Sequence, residues 1–259
     1  MASPKRKIST RLIRKGALIE ETYSVFRGWD FDASFKDNIQ IVKETNSIGA
    51  NSERWLHEVL TTVSSRFSRD ETFAPLVALS HGGFPIDKWK ACLLWHIGGI
   101  DALYYRFSTQ WLYEEFLSGR YLVQTPDVLP FVHKVTDGRI AREGKLTEYG
   151  VLRAARDLLR MASDFGLLSK GVKKQFTAFH LPQECFVYVL HGLSDQKKGA
   201  AEILASKDWR LFLMDRESVE RELLNLHQYK KVEYEVAGSL AQIRLPQNSQ
   251  MEYARMLVR

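Results

Sequence analysis

Asp127, Glu143 and Lys145 stand at a spacing that suits phosphodiester cleavage: Pro-Asp, then Glu-Gly-Lys beginning sixteen residues after the aspartate. That chemistry needs two carboxylates converging on a divalent cation and a lysine assisting the attacking water. Convergence comes from adjacent strands, yet Asp127 falls where a helix begins and Glu143 falls in a glycine-flanked loop, so the spacing reads as chance. Cys92 and His96 are four residues apart, which places both on one helical face, as a zinc pair requires. Their neighbours Leu93, Leu94, Trp95 and Ile97 are apolar and no third ligand stands nearby, so core packing is the better reading. His180 and Cys185, split by Pro182, rate no higher. The chain carries no His-Glu-x-x-His, no phosphate loop ending Gly-Lys, no Gly-x-Gly-x-x-Gly and no Gly-x-Ser-x-Gly. The expectation is a protein that is not an enzyme and takes no metal, cofactor or small-molecule substrate.

Basic residues are the remaining chemistry. The net charge of +6 resides in the first fifteen residues, where Lys5, Arg6, Lys7, Arg11, Arg14 and Lys15 meet no acid. The other 244 residues carry 31 bases against 31 acids, so only local clustering supports a polyanionic partner. Such a cluster spans Lys134 to Phe176, with ten bases and five acids; Arg153, Arg156, Arg160, Lys170, Lys173 and Lys174 are its core.

The elements that position these residues follow from periodicity. Residues 1–15 read as a flexible basic arm. Helices are expected over Gly16–Trp29 and Ser34–Thr45, then, after the Asn-Gly-rich loop 46–51, from Ser52 to Phe67. In that last helix Leu56, Val59, Leu60, Val63 and Phe67 form one apolar stripe. Arg54, Glu58, Thr61 and Ser65 lie opposite, with His57 and Arg66 on the flanks. Helix, short turn, helix over 34–67 is the shape of a helix-turn-helix, whose polar face meets phosphates and base edges; the alternative is an ordinary helical hairpin with a solvated face. The aromatic-dense stretch Phe84 to Leu122 reads as core. A break at 124–127 divides an N-terminal helical half, 16–124, from a C-terminal half, 125–245.

In the second half Thr147 caps an amphipathic helix running to Phe165, with Leu152, Ala155, Leu158, Leu159, Ala162 and Phe165 on one face. Arg153, Arg156 and Arg160 occupy the other. Gly166 stops it and the basic stretch 169–179 follows as a short hairpin, so 147–179 has the order of a reading helix and its wing. Further helices are expected over Pro182–Leu193, Asp208–Met214 and Ser218–His227. Val232–Val236 and Leu240–Leu245 form a terminal hairpin through Gly238, and 246–259 is a loose tail or docking segment. The class is mainly α: a compact multi-helix globule with helix-turn-helix or winged-helix-like elements and one or two short β-hairpins. No signal-peptide pattern and no run of roughly 20 apolar residues is present, and two cysteines suit a reducing compartment, so a cytoplasmic, non-membrane protein is expected.

Several short stretches in fixed order resemble one family. Gly16-Ala17-Leu18-Ile19-Glu20-Glu21-Thr22, Asn51-Ser52-Glu53-Arg54, Arg66-Phe67, Asp164-Phe165-Gly166-Leu167-Leu168, Trp209-Arg210-Leu211-Phe212-Leu213 and Ala237-Gly238-Ser239 are similar to the BrxA family, the small component of bacteriophage-exclusion (BREX) systems. The resemblance spans about residues 16–245. It implies a mainly helical protein with helix-turn-helix elements and affinity for double-stranded DNA. It also implies work beside a methyltransferase, a phosphatase-like protein and an ATPase, which perform the catalysis. On that reading DNA is held through Lys5, Arg6, Lys7, Arg11, Arg14, Lys15, Arg54, Thr61, Ser65, Arg66, Arg153, Arg156, Arg160, Lys170, Lys173 and Lys174. The competing expectation is an adaptor whose basic patches serve protein partners.

Overall fold

Ser34, Ser52 and Thr147 each accept a backbone N–H from three residues ahead, at 3.2, 3.2 and 3.1 Å. Each bond satisfies a donor that the first helical turn leaves orphaned; the helices after Ser52 and Thr147 start at the expected places, and Ser34, expected as the first residue of its helix, is that helix's cap. The computed structural model describes residues 8–69, 71–136, 144–196, 198–238 and 240–259. A 3-10 turn, Arg11–Ile13, leads to α1 (Ile19–Arg27), α2 (Phe35–Thr45), α3 (Glu53–Phe67), α4 (Ala74–His81), α5 (Ile86–Ile100) and α6 (Ala102–Arg106). A π-helical turn, Phe107–Leu112, joins α6 to α7 (Tyr113–Leu117). Then come β1 (Leu122–Val123), α8 (Thr125–Thr136), α9 (Glu148–Asp164), β2 (Lys174–Gln175), α10 (Gln183–Asp195), α11 (Ala200–Leu204), the 3-10 turn Lys207–Phe212, α12 (Arg216–Gln228), β3 (Glu233–Ala237), β4 (Leu240–Arg244) and α13 (Gln250–Leu257). The fold is mainly helical, with two small antiparallel sheets, β1–β2 and β3–β4, among the described residues.

α5 and α10 have no solvated stripe over most of their length: Ala91 to Ile97 and Cys185 to Leu193 are buried. Helices apolar on every side belong in the centre of a core. Cys92 and His96 are therefore packing residues; burial pushes the Cys92 thiol up, and the His96 Nε2 sits 2.7 Å from the Tyr188 hydroxyl. Among the described residues no three His, Cys, Asp or Glu side chains gather as metal ligands. Trp89, Trp95, Tyr104, Tyr105, Phe107 and Tyr113 are buried as expected, whereas Phe116 and Tyr121 are 37% and 70% exposed.

Two expectations change, and one pair of alternatives is resolved. The break near residue 124 does not divide the core, because one hydrophobic cluster includes Val25, Trp89, Leu158 and Trp209. The arm is not loose over residues 8–15: Ile8 and Ile13 are buried in that same cluster, while Lys5, Arg6 and Lys7 lie outside the described residues. The tail 246–259 ends in a docked helix. Gln250 of α13 donates its amide to the Tyr188 carbonyl at 3.0 Å, its N–H reaches Asp195 Oδ2 at 2.9 Å, and Tyr253 stacks on His191 with ring centroids 4.9 Å apart.

Asp127 is also occupied. Its Oδ2 accepts the Gln124 N–H at 2.7 Å, which caps the first turn of α8, and its Oδ1 pairs with Arg120 at 2.5 Å. Glu143 lies outside the described residues.

Candidate nucleic-acid interface

Arg66 was expected on the polar flank of α3 and is instead 1% exposed. Its guanidinium donates to the carbonyls of Leu12 (2.8 Å), Gly16 (2.6 Å) and Ala17 (2.7 Å), the segment that connects the arm to α1. Burial lowers its pKa to about 10, opposed by the charges of Asp101, Asp164 and Glu21, so it stays protonated at neutral pH. A buried cation survives only with partners of this kind, and none of its charge is left for phosphate. Asp101, which caps α6 by accepting from Leu103 N–H and Tyr104 N–H at 2.9 Å each, is the buried counter-charge; burial raises its pKa to about 6.

The same connecting segment is held from the other side by α9. The Ala17 N–H donates to Asp164 Oδ2 at 2.9 Å. Gly16 adopts φ +74°, and a Cβ there would lie 2.6 Å from Asp164 Oδ2 and 3.1 Å from Arg160 Nε. Glycine is required twice over, for the left-handed backbone and for the close approach. Arg11, Arg14 and Lys15 are thereby fixed between the two helices that the sequence had put in separate elements.

On α9 Tyr149, Arg153, Arg156 and Arg160 form an exposed stripe opposite a face that buries Val151, Ala155, Leu158 and Ala162, and Glu148 is exposed to one side of it in the first turn. Asp157 borders the stripe. Burial raises its pKa to about 6 against the charges of Arg153, Arg160 and Arg14, and Arg153 Nε is 3.9 Å from its Oδ2. Arg14 of the arm therefore belongs to the electrostatic neighbourhood of the α9 arginines.

Gly166, at φ +81°, ends α9 and the chain turns into a hairpin. Leu168 bridges Phe176, Ser169 N–H donates to Gln175 O at 2.8 Å, and Thr177 N–H donates to Leu167 O at 3.1 Å. β2 also pairs antiparallel with β1, Leu122 opposite Gln175 and Val123 opposite Lys174. The tip presents Lys170 and Lys173 to solvent. Lys174 does not join them: it is half-buried, donates to Ser163 Oγ at 2.8 Å, and has its pKa lowered by burial.

α3 contributes Arg54, Thr61 and Ser65 at exposed positions. Glu58 offsets part of this charge, with Lys15 Nζ at 2.6 Å and Arg54 Nε at 3.5 Å, and its own pKa is lowered chiefly by the Lys15 hydrogen bond. Together with the arm and α2, α3 encloses a groove of about 1550 Å³ whose lining includes Arg11, Arg14, Lys43, His57, Thr61, Ser65 and Arg69, with the acids Glu53 and Asp101 offsetting part of the charge. Lys43 and Arg69 were not singled out from the sequence, because nothing local shows that residues 26 apart face one groove.

These observations define a mainly helical protein with an exposed basic helix-and-hairpin surface and a groove rich in basic residues, on either side of a segment held by a buried arginine. The chain belongs to the BrxA family, which it matches over residues 6–191, and is by that membership a component of a bacteriophage-exclusion defence system. Comparison with curated proteins and with solved structures found no match. Among the described residues no helix is long and apolar enough to cross a membrane.

Proposed function

We propose that this protein is a non-catalytic, cytoplasmic, double-stranded-DNA-binding component of its defence system, working beside the methyltransferase, phosphatase-like protein and ATPase. The observation that carries the reading is the stripe Tyr149, Arg153, Arg156 and Arg160 on α9, followed directly by a hairpin tipped with Lys170 and Lys173. The order α7, β1, α8, α9, hairpin, with β1 paired to the second hairpin strand, supports a winged-helix reading. In such an arrangement the third helix enters the major groove and the hairpin follows the backbone. Arginine and lysine at these positions favour phosphate contacts, which orient the protein and carry little sequence information.

The test is fluorescence anisotropy of a labelled random-sequence duplex over a range of salt. Five phosphates neutralised by Arg153, Arg156, Arg160, Lys170 and Lys173 give a slope of log affinity on log salt of roughly −4.5. Absence of duplex binding at low salt would sink the reading. The adaptor alternative is favoured by one observation, the exposed Phe116, Leu117 and Tyr121 beside the hairpin; it predicts association with another system protein that persists at high salt.

A further inference from the structure

We infer that the groove between α2, α3 and the N-terminal arm is a second nucleic-acid site, which takes an unpaired strand rather than a duplex. From sequence, the polar face of α3 reads as a protruding surface. Docking of the arm converts it into one wall of a concavity: His57, Thr61 and Ser65 stand on α3, Arg11 and Arg14 on the arm, and Lys43 and Arg69 at the rim. A duplex receives convex helices and ribbons into its own grooves, so a concave wall keeps its base edges out of reach. A single strand is narrower and bends freely, and a positive groove carrying hydroxyl donors tracks its phosphodiester backbone.

The lining also argues for how the strand is held. His57 is its only aromatic ring among the described residues, so base stacking contributes little and the contacts fall on phosphate and sugar. Arg66 at the floor is committed to the arm carbonyls, which leaves the rim cations to meet the ligand. An acidic amphipathic helix is the other polyanion a groove can take, since Leu12, Ile39, Leu56 and Leu60 also line this one, and competition with poly-glutamate separates the two. Recognition through phosphate alone is tolerant of sequence and steep in salt, with a slope near −0.7 per phosphate for single strands.

The experiment uses the full chain with two fluorescent probes, an oligo-dT of about 15 nucleotides and a duplex of about 20 base pairs. Two double variants are compared, Lys43→Glu with Arg69→Glu and Arg153→Glu with Arg156→Glu, after circular dichroism shows that both are folded. The rim pair is expected to weaken oligo-dT binding at least about tenfold and leave duplex binding within about twofold; the α9 pair is expected to do the reverse. Oligo-dT binding that depends on the rim in a protein that ignores duplex leaves this inference standing while the duplex reading falls. The inference is overturned if oligo-dT does not bind, if its binding follows the α9 pair instead of the rim pair, or if poly-glutamate displaces it as well as unlabelled oligo-dT does.

Discussion

Arg66 of α3 and Asp164 of α9 grip opposite sides of one peptide bond. The Gly16 carbonyl accepts from Arg66 Nη2 at 2.6 Å, and the N–H of the same peptide unit, on Ala17, donates to Asp164 Oδ2 at 2.9 Å. Two charged side chains from distant helices thus hold the backbone in place, and the cations on that backbone complete both surfaces.

Replacing Arg66 tests the grip. Arg66→Leu leaves the Leu12, Gly16 and Ala17 carbonyls without their donor and Asp101 without a nearby positive charge, and a loss of roughly 3–5 kcal/mol is expected in urea unfolding, the usual scale for removing one member of a buried charged network. Asp164→Asn keeps one acceptor oxygen and costs less, about 1 kcal/mol. Equal stability of Arg66→Leu and the parent protein would show that the guanidinium does not hold the arm.

Gly16→Ala probes the same place without altering charge. The left-handed backbone costs an L-residue roughly 1–2 kcal/mol, and the new methyl would displace Asp164 and Arg160, which it would approach to 2.6 and 3.1 Å. The variant should melt lower and be cut faster by trypsin at Arg11, Arg14 and Lys15. An unchanged digestion pattern would contradict the fixed arm.

Reversing charge on α9 separates binding from folding. Arg153 and Arg156 are exposed, so Arg153→Glu with Arg156→Glu should change stability within about 0.5 kcal/mol per site. Duplex affinity should fall at least about tenfold and its salt slope should flatten by roughly 2. Full-strength duplex binding by this variant would remove α9 from the interface.

Asp157 gives the interface a pH dependence. Its carboxyl, raised to about 6 by burial, subtracts charge from the neighbourhood of Arg153, Arg160 and Arg14. Duplex affinity should therefore rise as pH falls through about 6, and Asp157→Asn should bind more tightly at neutral pH with a flatter profile. Stability has its own sign. A carboxyl whose folded value is about 6 and whose ordinary value is 3.8 binds its proton more readily in the folded state, so the parent protein loses stability relative to Asp157→Asn as pH rises between those values. His191, lowered to about 4 by burial, acts oppositely over much of the same window, and the comparison with the variant cancels it.

Removing α13 tests whether the C-terminus is integral. A Cβ on Gly82 would meet Val258 at 2.4 Å, and Tyr253 covers His191, so α13 fits tightly over α4 and α10. Truncation after Leu245 exposes that apolar seam and should lower the melting temperature and promote aggregation. Normal melting of the truncated chain would reduce α13 to an appendage.

Local signals were legible in the sequence because their causes are local. The caps Ser52 and Thr147, the apolar stripe of α9 with its arginines opposite, the glycine stop at 166 and the terminal hairpin each depend on residues within a few turns, and the structure places each where the sequence puts it. What only the tertiary structure decided is how distant segments share charge and hydrogen bonds. At about 100° per residue Arg66 lies some 20° from Val59 on the helical wheel, at the edge of the buried stripe. Whether a cation there goes inward depends on carbonyls about fifty residues earlier in the chain. β1 and β2 are two residues each, too short for any alternation to show, and they exist because the hairpin after α9 brings them together. The groove is of the same kind: Lys43, Arg69 and Arg11 become neighbours only once Arg66 and Asp164 have fixed the arm, because a long-range contact among polar residues leaves no periodic trace in the chain.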